Sequence, residues 1–421
     1  MGVRGTVQVP GDKSLSHRAL IFAALARGTS RVRSILPSAD VHATAACLRA
    51  MGVAIPELTS DLSIDGVGLT GLRAPSASLD AANSGTTSRL LAGVLAGHPF
   101  SATVIGDASL SRRPMRRVAA PLSSMGATVS LTPAGTLPMT ITGGTLHPFE
   151  WTSETASAQV KSAILLAGCV GGVAVSVTEP ARSRDHTERM LAALMDGGAL
   201  EVDETVVRLT PPTALRPFET VVPGDPSSAA FFAALTAAVP DSELTLPNVA
   251  LNPTRTGFFQ TLQRMGAEVE LLDRGDAAGE PVGTVRVRAR ALHGRPVAGA
   301  VIPTMIDELP LLACLATLAE GETVIRDAEE LRAKESDRIA AVVANLRLLG
   351  ADADERPDGL VVRGTPGRLR AGRIVTHGDH RLAMAFAVLG AASGVAVKVD
   401  DPACVAVSYP AFWSDLASLT R

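Results

Sequence analysis

The sequence predicts an α/β protein of two domains built from internal repeats, and three observations carry that prediction. A helix rich in small and apolar residues recurs at intervals of 70 to 80 residues, starting near Ser14, Ser84, Ser157, Ser227, Asp307 and Asp379. Such all-round apolar helices are normally buried. A second, amphipathic helix recurs between them and closes on Gly52, Gly126, Gly198, Gly266 and Gly350. β-like stretches such as 267–271 follow most of these glycines, which read as left-handed C′ residues. Finally, 421 residues are too many for one small core and suit two domains of about 200 each. The simplest reading is six strand–helix–strand–helix units, three per domain, the sixth closing helix falling within 415–421.

Taken in order, residues 3–9 alternate as a strand, and Pro10-Gly11 ends it. The first buried helix runs towards Gly28, with Ser14 as its expected N-cap. Lys13 and Arg18 stand at its start, where the helix dipole disfavours cations unless an anion arrives. A strand over 30–35, a helix capped by Ser38 and ending at Gly52, and a strand over 62–64 complete the first unit. Gly66–Gly71 spells G-x-G-x-x-G, but Pro75 prevents the long helix that a dinucleotide site needs, so it reads as a turn. Gly11-Asp12-Lys13-Ser14 is no P-loop, because Val7 and Asp12 stand where glycines belong.

The second unit carries Asn83–Arg89, then Arg112, Arg113, Arg116 and Arg117 opening a helix, a further anion signal. The third carries Ser157–Ser162, then Arg182–His186. Val222–Pro226 and Gly11-Asp12 read as the crossovers between domains, which would let the first strand pair with the second half. The fifth unit carries Asp307-Glu308, then Arg332–Arg338 opening a helix over 339–349; the sixth carries Thr376–Arg381.

Composition narrows the function. Net charge is −3 and aromatics make up 3%, which argues against nucleic acid as a partner. The four cysteines (Cys47, Cys169, Cys314, Cys404) form no C-x-x-C pair and read as small buried hydrophobes in a reducing compartment. No apolar run reaches the ~18 residues of a membrane span and no signal segment precedes the first motif, so a soluble, cytoplasmic protein is expected. His377 and His380 lie beside Asp379 and Arg381, which favours hydrogen bonding over metal ligation. There is no G-x-S-x-G. What remains is a set of cations (Lys13, Arg18, Arg113, Lys161, Arg184, Lys334, Arg338, Arg381) and a few carboxylates (Asp307, Glu335, Asp379) at helix starts. Any one of these is ordinarily a capped or ion-paired surface helix. Their recurrence at matched repeat positions predicts a cleft for phosphates and carboxylates, with Lys13, Glu335 and Asp307 available for proton transfer.

These motifs, in this order, resemble the 5-enolpyruvylshikimate-3-phosphate synthases (3-phosphoshikimate 1-carboxyvinyltransferases). The resemblance runs through G-D-K-S-x-S-x-R (Gly11–Arg18), N-S-G-T-T-x-R (Asn83–Arg89), R-R-P (Arg112–Pro114), S-A-Q-V-K-S-A (Ser157–Ala163), R-D-H-T-E (Arg184–Glu188), I-D-E-x-P (Ile306–Pro310), K-E-S-D-R (Lys334–Arg338), D-H-R-x-A-M (Asp379–Met384) and S-Y-P (Ser408–Pro410). It implies an inside-out α/β barrel architecture: two domains of three βαβαββ units, residues 13–224 in one and residues 1–12 with 225–421 in the other, and a substrate cleft between them. It implies transfer of the enolpyruvyl group of phosphoenolpyruvate to the 5-hydroxyl of shikimate 3-phosphate, through a tetrahedral ketal, without metal or organic cofactor.

By the same resemblance, Lys13, Ser14, Arg18, Ser157, Ala158 and Gln159 hold shikimate 3-phosphate, together with Arg184, Asp307 and Lys334. Lys13, Gly85, Arg113, Gln159, Arg338, His380 and Arg381 hold phosphoenolpyruvate. Asp307 accepts the hydroxyl proton; Glu335 and Lys13 move protons at the enol carbon. Two positions depart from the pattern of many members: Ala158 replaces a serine, leaving only its backbone N–H as donor, and Val407 replaces a lysine near the C-terminus. A sister transferase acting on UDP-N-acetylglucosamine would carry Asn after the first lysine and a Cys or Asp before the arginine; here Ser14 follows Lys13, and 108–113 contains no Cys. A non-catalytic ligand-binding protein on the same repeats would not need Asp307 and Glu335. A monomer is expected, since no exposed apolar stripe is legible.

Overall fold

The computed structural model describes residues 2–364 and 366–420. The chain forms two compact units. One comprises Gly11–Val222 with Asp276–Glu280; the other comprises Met1–Pro10, Pro223–Gly275 and Pro281–Arg421. Each is an assembly of small mixed sheets and helices.

In the first unit three buried helices recur: α1 (Lys13–Leu25), α2 (Gly85–Ala96) and α3 (Ala158–Gly171). Their small residues allow close approach. A Cβ on Gly93 of α2 would lie 2.2 Å from the carbonyl oxygen of Ala163 in α3, so only glycine fits that crossing. Each unit of sequence adds a sheet with the same logic, a parallel pair extended by antiparallel strands. Leu79–Asp80 runs parallel to Ser101–Ile105, which pairs antiparallel with Met139–Thr142. Phe149–Thr152 runs parallel to Val175–Thr178, which pairs antiparallel with Val206–Thr210. A third sheet is closed by a strand from the far end of the unit: Glu219–Val221 lies parallel to Arg27–Arg33, which pairs antiparallel with Asp61–Val67; a short ladder pairs Met195–Asp196 antiparallel with Ala214–Leu215.

The second unit repeats the plan with α4 (Pro226–Ala238), α5 (Leu309–Ala316) and α6 (His380–Ser393). Here the first strand of the whole chain, Arg4–Thr6, pairs parallel with Glu243–Ala250. Pro296–Val297 likewise meets Glu322–Ile325, and Gly372–Ile374 meets Val397–Val399. The core gathers the helices' apolar faces round Phe231, Phe232, Phe258, Phe259, Phe386, Tyr409 and Phe412. Each such ring removed from water contributes on the order of 1.5–3 kcal/mol. Cys47, Cys169 and Cys314 are buried free thiols, and burial raises all three pKa values. Among the described residues no single helix is long and apolar enough to cross a membrane.

The five glycines expected at helix ends, Gly52, Gly126, Gly198, Gly266 and Gly350, all have positive φ; four of them directly follow a helix C-cap, whereas Gly198 lies beyond the strand Met195–Asp196, the helix before it having ended at Leu194. Several boundaries differ from the sequence reading. The N-cap of α1 is Asp12, whose carboxylate accepts from the backbone N of Leu15 at 2.7 Å; Ser14 is the helix's second residue. A carboxylate one step earlier serves both the orphan N–H groups and the dipole, so it outcompetes the serine. The strand expected over 3–9 contracts to Arg4–Thr6, the part with ladder partners. α1 ends at Leu25, and Gly28 lies within the next strand. Asp307 does not open a helix: it sits between the short helix Ile302–Met305 and α5, whose N-cap is Glu308. The arginine run divides, Arg113 being extended after a 3-10 turn and the helix starting at Arg116.

Candidate active site

In the first unit the predicted residues gather at the N-terminal ends of α1, α2 and α3. Lys13 Nζ lies 3.0 Å from Asp40 Oδ2, the first-turn acid of the helix Ala39–Ala50. Arg18, 4% exposed, donates Nε to Thr187 Oγ1 (2.8 Å), Nη1 to the carbonyl of Ser14 (3.0 Å) and Nη2 to Ser162 Oγ (3.0 Å). All three acceptors are neutral. Burial lowers the pKa of this guanidinium to about 10, against the pull of Glu188, Asp12 and Glu280. A guanidinium so placed is suited to an incoming carboxylate or phosphate.

At α2, Ser84 caps the helix by accepting from Thr87 N at 3.0 Å, and Gly85 follows. A Cβ on Gly85 would lie 2.7 Å from Arg89 Nη1 and 3.1 Å from Arg113 Nη1. Glycine thus lets two guanidinium groups close over one helix start. Arg113 donates to Asn83 Oδ1 at 3.2 Å, and Arg89 to Gln159 Oε1 at 2.6 Å. Gln159 in turn donates to Thr86 Oγ1 at 3.2 Å, joining α3 to α2. Ser157 caps α3, Ala158 is its first residue, and Arg184 lies half-buried just before the helix His186–Leu194.

In the second unit the centre is Arg338, 1% exposed, at the start of the helix Arg338–Leu348. Its Nε donates to Asp379 Oδ2 at 2.8 Å and its Nη2 to Asp379 Oδ1 at 3.2 Å. Nη1 reaches Asp307 Oδ1 at 3.1 Å, and Nη2 reaches Glu335 Oε2 at 2.7 Å. Burial would lower the arginine's pKa; Asp379, Glu335 and Asp307 more than reverse this and raise it, so Arg338 stays charged. Lys334 Nζ stands 3.8 Å from Asp307 Oδ1 and 3.4 Å from Glu330. Asp379 caps α6 by accepting from the backbone N of Arg381 at 2.9 Å, and His380 is the first residue of that helix. Arg381 Nη1 meets Glu308 Oε1 at 3.3 Å, and Ser227 Oγ donates to the same oxygen. Arg255 Nη2 then ties Ser227 (2.9 Å) to Asp225 (3.0 Å), the N-cap of α4.

The structure therefore groups Asp307, Lys334, Glu335 and Arg338 in one ion cluster of the second unit, with Arg381 in an adjoining one. In the first unit Gly85 lies against Arg113, Gln159 is tied to the same helix start through Arg89 and Thr86, Lys13 pairs with Asp40, and Arg18 is anchored by Ser162 and Thr187. Arg89 was not assigned a role in the sequence reading, although it ends N-S-G-T-T-x-R. A signal for it existed: each of α1, α2 and α3 carries a buried cation in its first two turns, Arg18, Arg89 and Lys161. Asp40, Glu308 and Glu179 left no comparable signal, since their importance lies in partners distant in sequence.

A family model described as EPSP synthase (3-phosphoshikimate 1-carboxyvinyltransferase) matches residues 1–416. The chain is 48% identical over 419 residues to the 3-phosphoshikimate 1-carboxyvinyltransferase of Geobacillus thermodenitrificans (strain NG80-2), covering 99% of this chain and 96% of that protein. It is 48% identical over 422 residues to the protein of that name from Chloroflexus aurantiacus (strain ATCC 29366 / DSM 635 / J-10-fl), covering 99% and 96%. Among solved structures, an EPSP synthase from Acinetobacter baumannii matches with a TM-score of 0.87 and 40% identity, over 100% of this chain and 96% of that one. The enolpyruvyl transferase NikO from Streptomyces tendae matches with a TM-score of 0.77 over 99% and 95%; at 20% identity that likeness concerns the fold alone.

Proposed function

The chain belongs to the EPSP synthase family of 3-phosphoshikimate 1-carboxyvinyltransferases, and on that premise we propose which of its side chains carry each part of the reaction. The enzyme transfers the enolpyruvyl group of phosphoenolpyruvate to shikimate 3-phosphate and releases phosphate, a step of the shikimate pathway. The observation that carries the assignment is the Arg338 cluster, which sets two carboxylates, Asp307 and Glu335, on one buried guanidinium within 3.1 Å. One carboxylate serves each of the two proton movements that the chemistry needs.

In the addition half, the 5-hydroxyl oxygen bonds to C2 of phosphoenolpyruvate, and its proton passes to Asp307. C3 of the enol gains a proton from Glu335 or Lys13, which makes C2 electrophilic. The product is a tetrahedral ketal that still carries the phosphate. In the elimination half C3 returns a proton to the same group, the C2–O bond to phosphate breaks, and phosphate leaves with the proton that Asp307 had taken from the hydroxyl, which resets both groups. Asp379 grips Nε and Nη2 of Arg338 and so fixes the guanidinium plane. Arg338 and Arg381 take the phosphoenolpyruvate carboxylate, while Lys13 and Arg113 offset the charge on its phosphate, with Gly85, Gln159 and His380 alongside.

For shikimate 3-phosphate, Arg18 and Ser14 take the carboxylate. The start of α3 (Ser157, Ala158, Gln159) and Arg184 take the phosphate ester. Lys334 and Asp307 hold the hydroxyls. Ala158 offers its backbone N–H alone, and Arg184 supplies the charge that a second serine would not. The finer family architecture, three βαβαββ repeats per unit in an inside-out α/β barrel, is part of this proposal.

The deciding experiment measures phosphate release from phosphoenolpyruvate with shikimate 3-phosphate and, in parallel, with UDP-N-acetylglucosamine. Release with the shikimate ester alone is expected. Release only with the sugar nucleotide would overturn the substrate assignment, and release with neither would overturn the catalytic one.

A further inference from the structure

Glu179 follows the strand Val175–Thr178 and is 4% exposed. Its carboxylate accepts four donors. Oε1 takes the backbone N–H of Ser157 at 2.9 Å. Oε2 takes Ser183 Oγ at 2.8 Å, the Ser183 backbone N–H at 3.4 Å and Lys161 Nζ at 2.7 Å. Lys161 is itself buried and also meets Glu188 Oε1 at 2.8 Å. Burial would lower the pKa of Lys161, but Glu188 and Glu179 overcome it and raise it, so the ammonium stays charged. Burial raises the pKa of Glu188, opposed by Lys161.

Buried ion pairs are seldom more stabilising than apolar side chains of the same volume. This one, however, fastens two particular segments to a single carboxylate. Ser157 is the residue from which α3 starts, and Ser183 immediately precedes Arg184. We propose that Glu179 is a positioning residue for the phosphate ester of shikimate 3-phosphate: it holds the start of α3 and the Arg184 segment at a fixed spacing, matched to one phosphate. This rests on the assignment of Ser157, Gln159 and Arg184 to that phosphate. The same geometry gives Lys161 its task. A lone buried carboxylate so close to a phosphate site would repel the ligand, and the ammonium at 2.7 Å, which Glu179 shares with Glu188, offsets that repulsion.

The test uses the full-length enzyme carrying Ser183→Ala, which removes one of the four donors and leaves the ion pair, and Glu179→Gln. Calorimetric titration with shikimate 3-phosphate and with unphosphorylated shikimate is combined with both KM values and the melting temperature. Ser183→Ala is expected to weaken binding of the phosphate ester by about three- to tenfold. Shikimate binding and the KM for phosphoenolpyruvate should stay within twofold of wild type, and Ser183→Thr should restore the ester's affinity. Glu179→Gln should show the same selectivity with a larger loss. Equal weakening of shikimate and its phosphate would overturn the proposal, as would a fall in melting temperature with both affinities intact. Should Glu179→Gln fail to fold, Ser183→Ala decides alone. Wild-type enzyme that fails to bind the ester would reject the underlying site assignment, and this role with it.

Discussion

Glu335 presents Oε2 to Arg338 at 2.7 Å, and its amide analogue can accept the same hydrogen bond. Glu335→Gln therefore keeps the cluster's geometry while removing the proton. Phosphate release should lose kcat by roughly 10²–10⁴, the usual scale for a general acid–base group, with both KM values within a few-fold of wild type. A variant with unchanged kcat would move the proton role to Lys13 alone. His17 offers a second test at this scale. Its Nδ1 pairs with Thr44 Oγ1 at 2.7 Å, joining α1 to the helix Ala39–Ala50, and burial, then Lys13, then Arg18, push its pKa well below 6.5. The unfolded chain binds a proton near pH 6.5 that the folded chain refuses. Stability is thus full above that pH and falls as pH drops below it, by at most about 1.4 kcal/mol per pH unit for this one proton. Urea denaturation from pH 8 to pH 5 should show that slope, reduced in His17→Gln by one proton's share. The charged residues at helix starts were legible because cations there violate the dipole preference. Their partners were not: Asp40 is 27 residues from Lys13 and Gln159 is 70 from Arg89, and only the fold brings such pairs together.

At the scale of elements, the six buried helices were legible from spacing and composition, because a helix apolar on every side has few other places to go. Their exact caps were less so. Asp12, Asp225 and Asp379 each cap a buried helix through a carboxylate, and Asp225 and Asp379 also hold an arginine. A sequence pattern that weighs one residue at a time sees Ser14 as an equal candidate. The short strands were harder still. Arg4–Thr6 and Leu79–Asp80 carry little pattern of their own and are defined by the neighbour that they pair with. The crossing of α2 and α3 gives the sharpest prediction here. Gly93→Ala would press a Cβ into the backbone of Ala163, which cannot turn aside as a side chain would. The expected cost is about 1–3 kcal/mol, read as a lowered denaturation midpoint. On the proposed assignment of Gly85 in α2 and Gln159 in α3 to phosphoenolpyruvate, its KM should rise with it. A midpoint equal to wild type would show that the helices can separate freely.

At the scale of the whole molecule, the recurrence of buried helices along the chain was legible in the sequence, whereas strand pairing across a long gap required the fold. The chain's first strand illustrates the point physically. Arg4–Thr6 is an edge strand whose ladder partner begins at Glu243, and Val3 donates its N–H to Ser242 Oγ at 2.7 Å. Val3 and Val9 are buried in the second unit's core, and the carbonyl of Pro10 accepts from Asp225 N at 2.9 Å. Removing residues 2–10 should therefore injure the second unit while leaving every hydrogen bond described within the first. The two tryptophans permit a direct reading, since Trp151 lies in the first unit and Trp413 in the second. Trp413→Phe leaves Trp151 as reporter, and Trp151→Phe leaves Trp413. In the truncated chain the denaturation midpoint seen by Trp413 should fall, by several kcal/mol given two buried valines and a lost strand ladder. The midpoint seen by Trp151 should hold. If both midpoints fall together, the units unfold as one cooperative body, and the stability of each site must then be treated as a property of the entire chain.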